Sequence, residues 1–335
     1  MRNANHRLTL RSRPVGLAGA DNFAEDTVPV RAPESGEVLL ETLLLSIDPA
    51  MRVWISENPG YVPRVEIGEV MRAGGIARVV ESRADGFAAG DLVQARLGWQ
   101  SHPTLPANEV QALDSTLGSP TDWIGLLGMT GITAYFGMRD VGAVRPGQTV
   151  LVSGAAGGVG QVAGQIGRIE ACRVVGIAGG AAKCAALVGE FGFDAAIDYK
   201  AEADLPAAIA RACPDGVDLF YDNVGGAVLD AMLANLAMNA RVVICGRISQ
   251  TASAALYGVR NLGNLIGKRA SLRGFVVFDY HDRYAEARHW LAAQRDAGRL
   301  RQKVHIIDGL AQAPEGLAML FRGDNTGKLV VRVAE

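Results

Sequence analysis

At 335 residues the chain exceeds what one compact core usually holds, so two domains are expected. Apolar residues make up 49% and charged residues 20%, with a formal charge of −2, which fits a globular protein and excludes the basic excess of a nucleic-acid surface. No apolar run is long enough to span a membrane and no signal peptide is expected, because Arg2, Arg7, Arg11 and Arg13 are not followed by an apolar stretch. Cys172, Cys184, Cys213 and Cys245 have neither disulfide-framework nor zinc spacing, which points to a reducing compartment, the cytoplasm.

Residues 1–35 predict little beyond a strand near Arg7–Arg11. Strands are then expected at Glu37–Ile47, ended by Asp48-Pro49, at Gly75–Glu81 and at Leu92–Ala95, with a turn over 84–91. Short strands separated by turn signals suggest a β-rich unit over about the first 120 residues. After Pro120 the texture changes, and Trp123–Arg139 reads as one or two buried helices. Strands and helices then alternate. Strands are predicted at Thr149–Val152, Arg173–Ile177, Ala195–Tyr199, Val217–Val224, Arg241–Cys245 and Leu272–Phe278. Helices are predicted at Gln161–Glu170, Lys183–Phe191, Leu205–Ala212, Val228–Met238 and Tyr284–Ala297. That alternation calls for an α/β fold with a doubly wound parallel sheet. Residues 298–335 return to short strands around one helix, ending in Lys328–Val333.

The chemistry concentrates where the first of these strands meets its helix, in Gly154-Ala-Ala-Gly157-Gly158-Val159-Gly160. Small residues let the backbone turn sharply and approach a diphosphate, whose charge the N–H groups at the helix start receive. The strand–turn–helix–strand context supports a dinucleotide site, the alternative being a glycine-rich turn in an ordinary α/β domain. The next strand ends in Ala178-Gly179-Gly180, without the acid that binds an NAD ribose, and Lys183 follows. Glycines leave room for a 2′-phosphate and the lysine supplies charge-assisted hydrogen bonds, so NADP(H) is the expected cofactor. As a structural residue alone, a lysine in a first helical turn is mildly unfavourable.

The stretches 43–52, 68–80, 126–137, 153–167, 218–226, 241–250, 274–280 and 324–331 give the chain, over nearly its whole length, a resemblance to the medium-chain dehydrogenase/reductase superfamily. Within it the chain resembles the zinc-independent, NADP-dependent alkenal/one reductases, the prostaglandin/leukotriene and curcumin-type double-bond reductases. The resemblance implies a GroES-like β-barrel catalytic domain from 1–125 and 298–335 around a Rossmann NADP-binding domain at 126–297. It implies that Gly157, Gly158, Val159 and Gly160 hold the diphosphate, and that Lys183 and Tyr199 contact the 2′-phosphate. Asn223, Cys245, Gly246, Arg247, Ile248 and Ser249 would run along the ribose and nicotinamide, Phe275, Val276 and Val277 would flank the ring, and Asn325 would close over the cofactor. Each also has a plain reading: Tyr199 as a strand-end tyrosine, Asn223 as a turn former, Cys245 as a core residue. The resemblance further implies a homodimer joined near Gly274–Tyr280.

The chain departs from its relatives at Ala50 and Thr251, where they often carry tyrosines, and Tyr61 and Tyr257 are the nearest substitutes. The zinc ligands of alcohol dehydrogenases are missing; Gly68-Glu69-Val70 stands where their G-H-E would lie, and His6, His102, His281, His289 and His305 are not spaced as a metal cluster. No metal site is expected. Conjugate reduction fits a site without a strong Lewis acid, because a developing enolate needs only hydrogen-bond donors. The expected activity is NADPH-dependent reduction of the C=C bond of α,β-unsaturated ketones and aldehydes, with Tyr61 and Tyr257 as candidate catalytic donors. A quinone or carbonyl reductase on the same scaffold and a non-catalytic NADPH-binding protein are the alternatives. The expected partners are a small conjugated carbonyl substrate and a second copy, with no nucleic acid or membrane.

Overall fold

A computed structural model describes residues 4–252 and 256–334. The chain divides into two units, one of Met1–Ile124, Val304–Asn325 and Leu329–Glu335, the other of Gly125–Lys303 and Thr326–Lys328. The first unit contains β1 (Ala4–Leu10), β2 (Phe23–Pro29), β3 (Glu37–Ser46), β4 (Gly75–Ser82), β5 (Leu92–Ala95), β6 (Thr104–Pro106) and β7 (Val110–Ala112). The second contains β8 (Thr149–Ser153), β9 (Arg173–Ala178), β10 (Ala195–Asp198), β11 (Val217–Asp222), β12 (Leu236–Ile244) and β13 (Ser271–Gly274). The chain then adds β14 (Val304–Asp308) and β15 (Lys328–Arg332) to the first sheet.

That first sheet is antiparallel along the order β15-β3-β4-β5-β7, with β14 beyond β15 and β6 on β3. Leu40 and Leu45 are five residues apart and would lie on opposite faces of a regular strand. The irregularity at Thr42/Leu44, where β3 carries an extra residue, re-phases the strand, and both leucines are fully buried in one core with Trp99, Met51 and Val331. β1 and β2 form a separate antiparallel ribbon, with Leu10 opposite Phe23. The sequence reading lacked β2, whose alternating burial is masked by charge at Glu25 and Asp26.

The second sheet is parallel, in the order β10-β9-β8-β11-β12-β13. Its middle strands are apolar runs buried on both faces, as crossover helices on both sides require. Several boundaries differ from expectation, and two of the differences have a readable cause. The helix expected at Val228–Met238 spans Gly226–Leu233, because Asn235 closes it and Leu236 already belongs to β12. The strand expected at Leu272–Phe278 is Ser271–Gly274: its parallel partner ends at Ile244, opposite Gly274, and Val277–Arg283 coils into a 3-10 turn. The direction of winding reverses between β8 and β11, where open α/β sheets form a crevice beyond their carboxyl ends.

Candidate active site

β8 delivers Ser153 to that crevice, and Gly154, at φ +56°, starts the turn into the helix Gly158–Ile169. Ala155 N–H donates to Ile177 O at 3.0 Å and Gly157 N–H to Gly154 O at 3.0 Å, which fixes the bend. Gly157 caps the helix without a side chain. Among the described residues the N–H groups of Val159 and Gly160 have no acceptor, whereas Gln161 makes the first intrahelical bond, to Gly157. A methyl group on Gly160 would overlap the Gly154 carbonyl oxygen. Gly327 N–H donates to Ala156 O at 2.8 Å and Gly327 bridges Gly157, bracing the turn from its other side. Thr130 and the Lys328 stem lie 3.2 Å from where a Cβ on Gly158 would sit. Two open N–H groups at the start of a helix that opens on glycine fit a diphosphate.

At the end of β9, Gly180 has φ +98° and caps the helix Ala181–Gly189, whose first turn carries Lys183. Tyr199 and Lys200, just past β10, are exposed. A Cβ on Gly179 would stand 2.9 Å from the Tyr199 ring and 3.0 Å from Lys200 Cε, so both side chains lie over a glycine floor. Asp198 is the acid at this end. Its Oδ1 accepts Gly180 N–H at 2.8 Å and Lys200 N–H at 3.0 Å, and these donors, the Gly180 N–H foremost, hold its carboxyl below the usual range. Sequence reasoning missed Lys200; the signal was a second cation beside Tyr199.

Across the crevice, the Ser153 hydroxyl donates to Asp222 Oδ1 at 2.6 Å and accepts Asn223 N–H at 2.8 Å. Asp222 is fully buried and also accepts from the N–H groups of Val224 and Gly225, at 3.0 and 3.1 Å. Burial nonetheless raises its pKa. Asn223 Nδ2 donates to Ser153 O at 2.7 Å, which ties the side chain to β8. The loop after β12 is laced to the loop after β11. Cys245 and Gly246 N–H donate to Asp222 O, Ile248 N–H to Asn223 O, and Ser249 Oγ to Val224 O at 2.7 Å. Burial pushes the Cys245 thiol up to about 12, against a hydroxyl hydrogen bond from Tyr221.

The structure therefore brings Gly157–Gly160, Lys183, Tyr199, Asn223 and Cys245–Ser249 to the carboxyl ends of neighbouring strands of one sheet. Phe275, Val276 and Val277 follow β13, half-buried, with the Phe275 ring 2.9 Å from where a Cβ on Gly137 would lie. Tyr61 and Asn325 belong to the first unit; Tyr61 is 68% exposed and Asn325 is buried. Tyr257 is engaged: its hydroxyl donates to Asp230 Oδ2 at 2.8 Å, and Asp230 Oδ1 accepts the N–H groups of Arg260 and Asn261. Among the described residues no three His, Cys, Asp or Glu side chains are grouped to hold a metal ion, and no helix is long and apolar enough to cross a membrane.

A parallel sheet with a glycine turn at its switch point, in a chain that also holds a mostly antiparallel unit, is the architecture of dinucleotide-dependent oxidoreductases. Residues 6–113 match the family model described as the N-terminal domain of oxidoreductase, and residues 158–293 match that of zinc-binding dehydrogenase. The chain is 39% identical to the NADPH-dependent curcumin reductase of Escherichia coli, over 98% of this chain and 97% of that one. It is 40% identical to the NADP(+)-dependent 2-alkenal reductase of Nicotiana tabacum, over 92% and 91%. The crystal structure of CurA in complex with NADPH from Vibrio vulnificus superposes with a TM-score of 0.93 at 37% identity, covering 98% of this chain and 99% of that one. The chain belongs to the medium-chain dehydrogenase/reductase superfamily, in its branch of NADP-dependent alkenal/one reductases.

Proposed function

We propose that the protein reduces the C=C bond of α,β-unsaturated ketones and aldehydes. The observation that carries this is near-full-length similarity to a 2-alkenal reductase and a curcumin reductase. The protein is an NADP-dependent oxidoreductase and NADP(H) is its cofactor. When bound, NADPH supplies the hydride that reaches the substrate's β-carbon.

The chain's own residues hold and orient. In this reading the open N–H groups of Val159 and Gly160, with Gly157 and Gly158 before them, receive the diphosphate. Lys183 and Tyr199, joined by Lys200, take the 2′-phosphate over the Gly179 floor. Asn223, fixed by Ser153, and the segment Cys245-Gly246-Arg247-Ile248-Ser249 line the ribose and nicotinamide, with Phe275, Val276 and Val277 against the ring and Asn325 closing the site. Residues 1–125 with 298–335 supply the catalytic domain and 126–297 the cofactor domain. Tyr61 donates its hydroxyl to the developing enolate oxygen. The Tyr257 proton is committed to Asp230, so Tyr257 would serve only after that bond opens. The assembly is a homodimer through the β13 edge, where Leu262, Ile266, Leu272 and Phe278 are exposed, and the enzyme works in the cytoplasm.

The test is NADPH oxidation with an enone, a quinone and a simple ketone, against NADH, with products identified by mass spectrometry. Saturated ketone from the enone is the expected product; allylic alcohol, or turnover of the quinone alone, overturns the reading. Tyr61→Phe should lower kcat on the enone and leave NADPH affinity unchanged. Wild-type kcat in that variant removes Tyr61 from the mechanism. Sedimentation should give a dimer that Leu272→Glu dissociates.

A further inference from the structure

In the first unit, away from the glycine turn in sequence and lined by none of its residues, lies a cavity of about 210 Å³. Two arginines, Arg72 and Arg96, line it together with Glu69 and Gln100. Arg72 is held in place: one Nη1 proton goes to Pro63 O at 2.9 Å, and its guanidinium carbon stands 5.6 Å from the centre of the Trp54 ring. Its remaining donors have no partner among the described residues. Arg96, just past β5, is exposed and makes no hydrogen bond or ion pair among the described residues.

Nearby acids do not neutralise the pair. Glu57 and Glu66 are bound by Arg13 and Arg64, at 3.2, 2.9, 3.1 and 2.6 Å. Glu69 accepts the Glu66 N–H at 2.8 Å with one oxygen, leaving one carboxylate against two guanidinium groups. The Gln100 amide donates to Leu97 O and accepts from Asn5, so it rigidifies the wall. Burial, and then the charge of Arg96, lower the Arg72 pKa. Two like charges facing one cavity are unfavourable unless a counter-charge joins them. Planar guanidinium forks suit carboxylate and phosphate oxygens, which accept paired N–H donors.

We propose that this cavity is a binding site for a small oxyanion, a carboxylate or phosphate group held between Arg72 and Arg96. The site stands independently of the reductase reading. The experiment uses NADPH-saturated protein, so that the nucleotide fills its own phosphate contacts. Sodium acetate and sodium phosphate are titrated by calorimetry against sodium chloride at constant ionic strength. Wild type should show saturable binding of at least one oxyanion, and Arg96→Gln should weaken it about tenfold, the loss expected for a charge-assisted hydrogen bond. Arg83→Gln, at an exposed arginine that does not line the cavity, should leave it unchanged. The tighter of acetate and phosphate identifies the group the natural ligand carries. No saturable binding beyond chloride, or equal affinity in wild type and Arg96→Gln, overturns the proposal.

Discussion

Replacing Lys183 with alanine separates a ligand role from a structural one, because the two predict losses in different measurements. Lys183 sits in the first turn of the helix Ala181–Gly189, capped by Gly180 without a side-chain acceptor. A cation there opposes the helix dipole by roughly 0.3–1 kcal/mol. Relief of that opposition and loss of the side chain's own interaction act against each other, so Lys183→Ala should leave apoprotein stability within about 1 kcal/mol of wild type. Against a 2′-phosphate the same lysine makes a charged hydrogen bond worth about 1.5–3 kcal/mol. NADPH affinity should then fall about 10- to 150-fold, while NADH affinity stays within about twofold. Fluorescence titration with both nucleotides and thermal unfolding of the apoprotein give the three numbers. Lys200→Ala in the same background should cost NADPH further and NADH little. Equal losses for NADPH and NADH, or an apoprotein destabilised by more than about 1 kcal/mol, would refute the assignment.

The other predictions concern the crevice. Gly160→Ala places a methyl on the Gly154 carbonyl and should cost about 1–3 kcal/mol or more in thermal unfolding and abolish saturable NADPH binding; retained binding would show that the turn relaxes. Ser153→Ala strips a donor from buried Asp222 and an acceptor from Asn223 N–H, a loss of about 1–3 kcal/mol by denaturant unfolding. Burial holds the Asp222 carboxyl above its ordinary 3.8, so its ionised form is disfavoured in the native state and stability drains as pH rises through the folded value. Losing the Ser153 donor raises that value further, so the deficit should grow from about pH 4 to about pH 8; a deficit that shrinks would refute it. Cys245, held near 12, and Cys172 and Cys213, held near 11, should resist alkylation at about pH 8, with half-exposed Cys184 modified first; peptide mapping that finds Cys245 modified first would overturn this.

The turn at 154–160 was legible because three levels agree there: an apolar strand, glycines that alone tolerate the bend, and a helix that begins at once. The alternation of strand and helix was legible for the same reason. What the pattern hides is termination. Leu272–Phe278 reads as one apolar strand, yet a strand lasts only as long as its neighbour, and β12 ends at Ile244. Asn235 offers no glycine or proline signal, so the switch from helix to β12 passes unseen. Partners far apart in sequence were equally invisible. The bond between Tyr257 and Asp230 spans 27 positions, and only the fold shows that this hydroxyl is engaged with a loop. Arg72 and Arg96 lie on separate strands' ends, and only the fold shows that they face one cavity.

The preference for NADP rested on an acid missing after β9, and the structure changes the form of that argument. The end of β9 carries none, but the neighbouring strand brings one beside it: Asp198 ends β10, opposite Ala178 in register. Its backbone donors keep it ionised at neutral pH, and Oδ1 is turned to the N–H groups of Gly180 and Lys200. A carboxylate so engaged shapes the β9 turn and holds Gly180 in its left-handed conformation instead of offering itself to a ribose hydroxyl. It also anchors the backbone of Lys200, whose stem lies beside Tyr199 over Gly179. With Lys183 and Lys200 against Asp198, this end of the sheet carries two positive charges to one negative. On the proposed assignment, selectivity for a phosphorylated ribose depends on what the acid is bonded to, and counting acids in the sequence is not enough to read it.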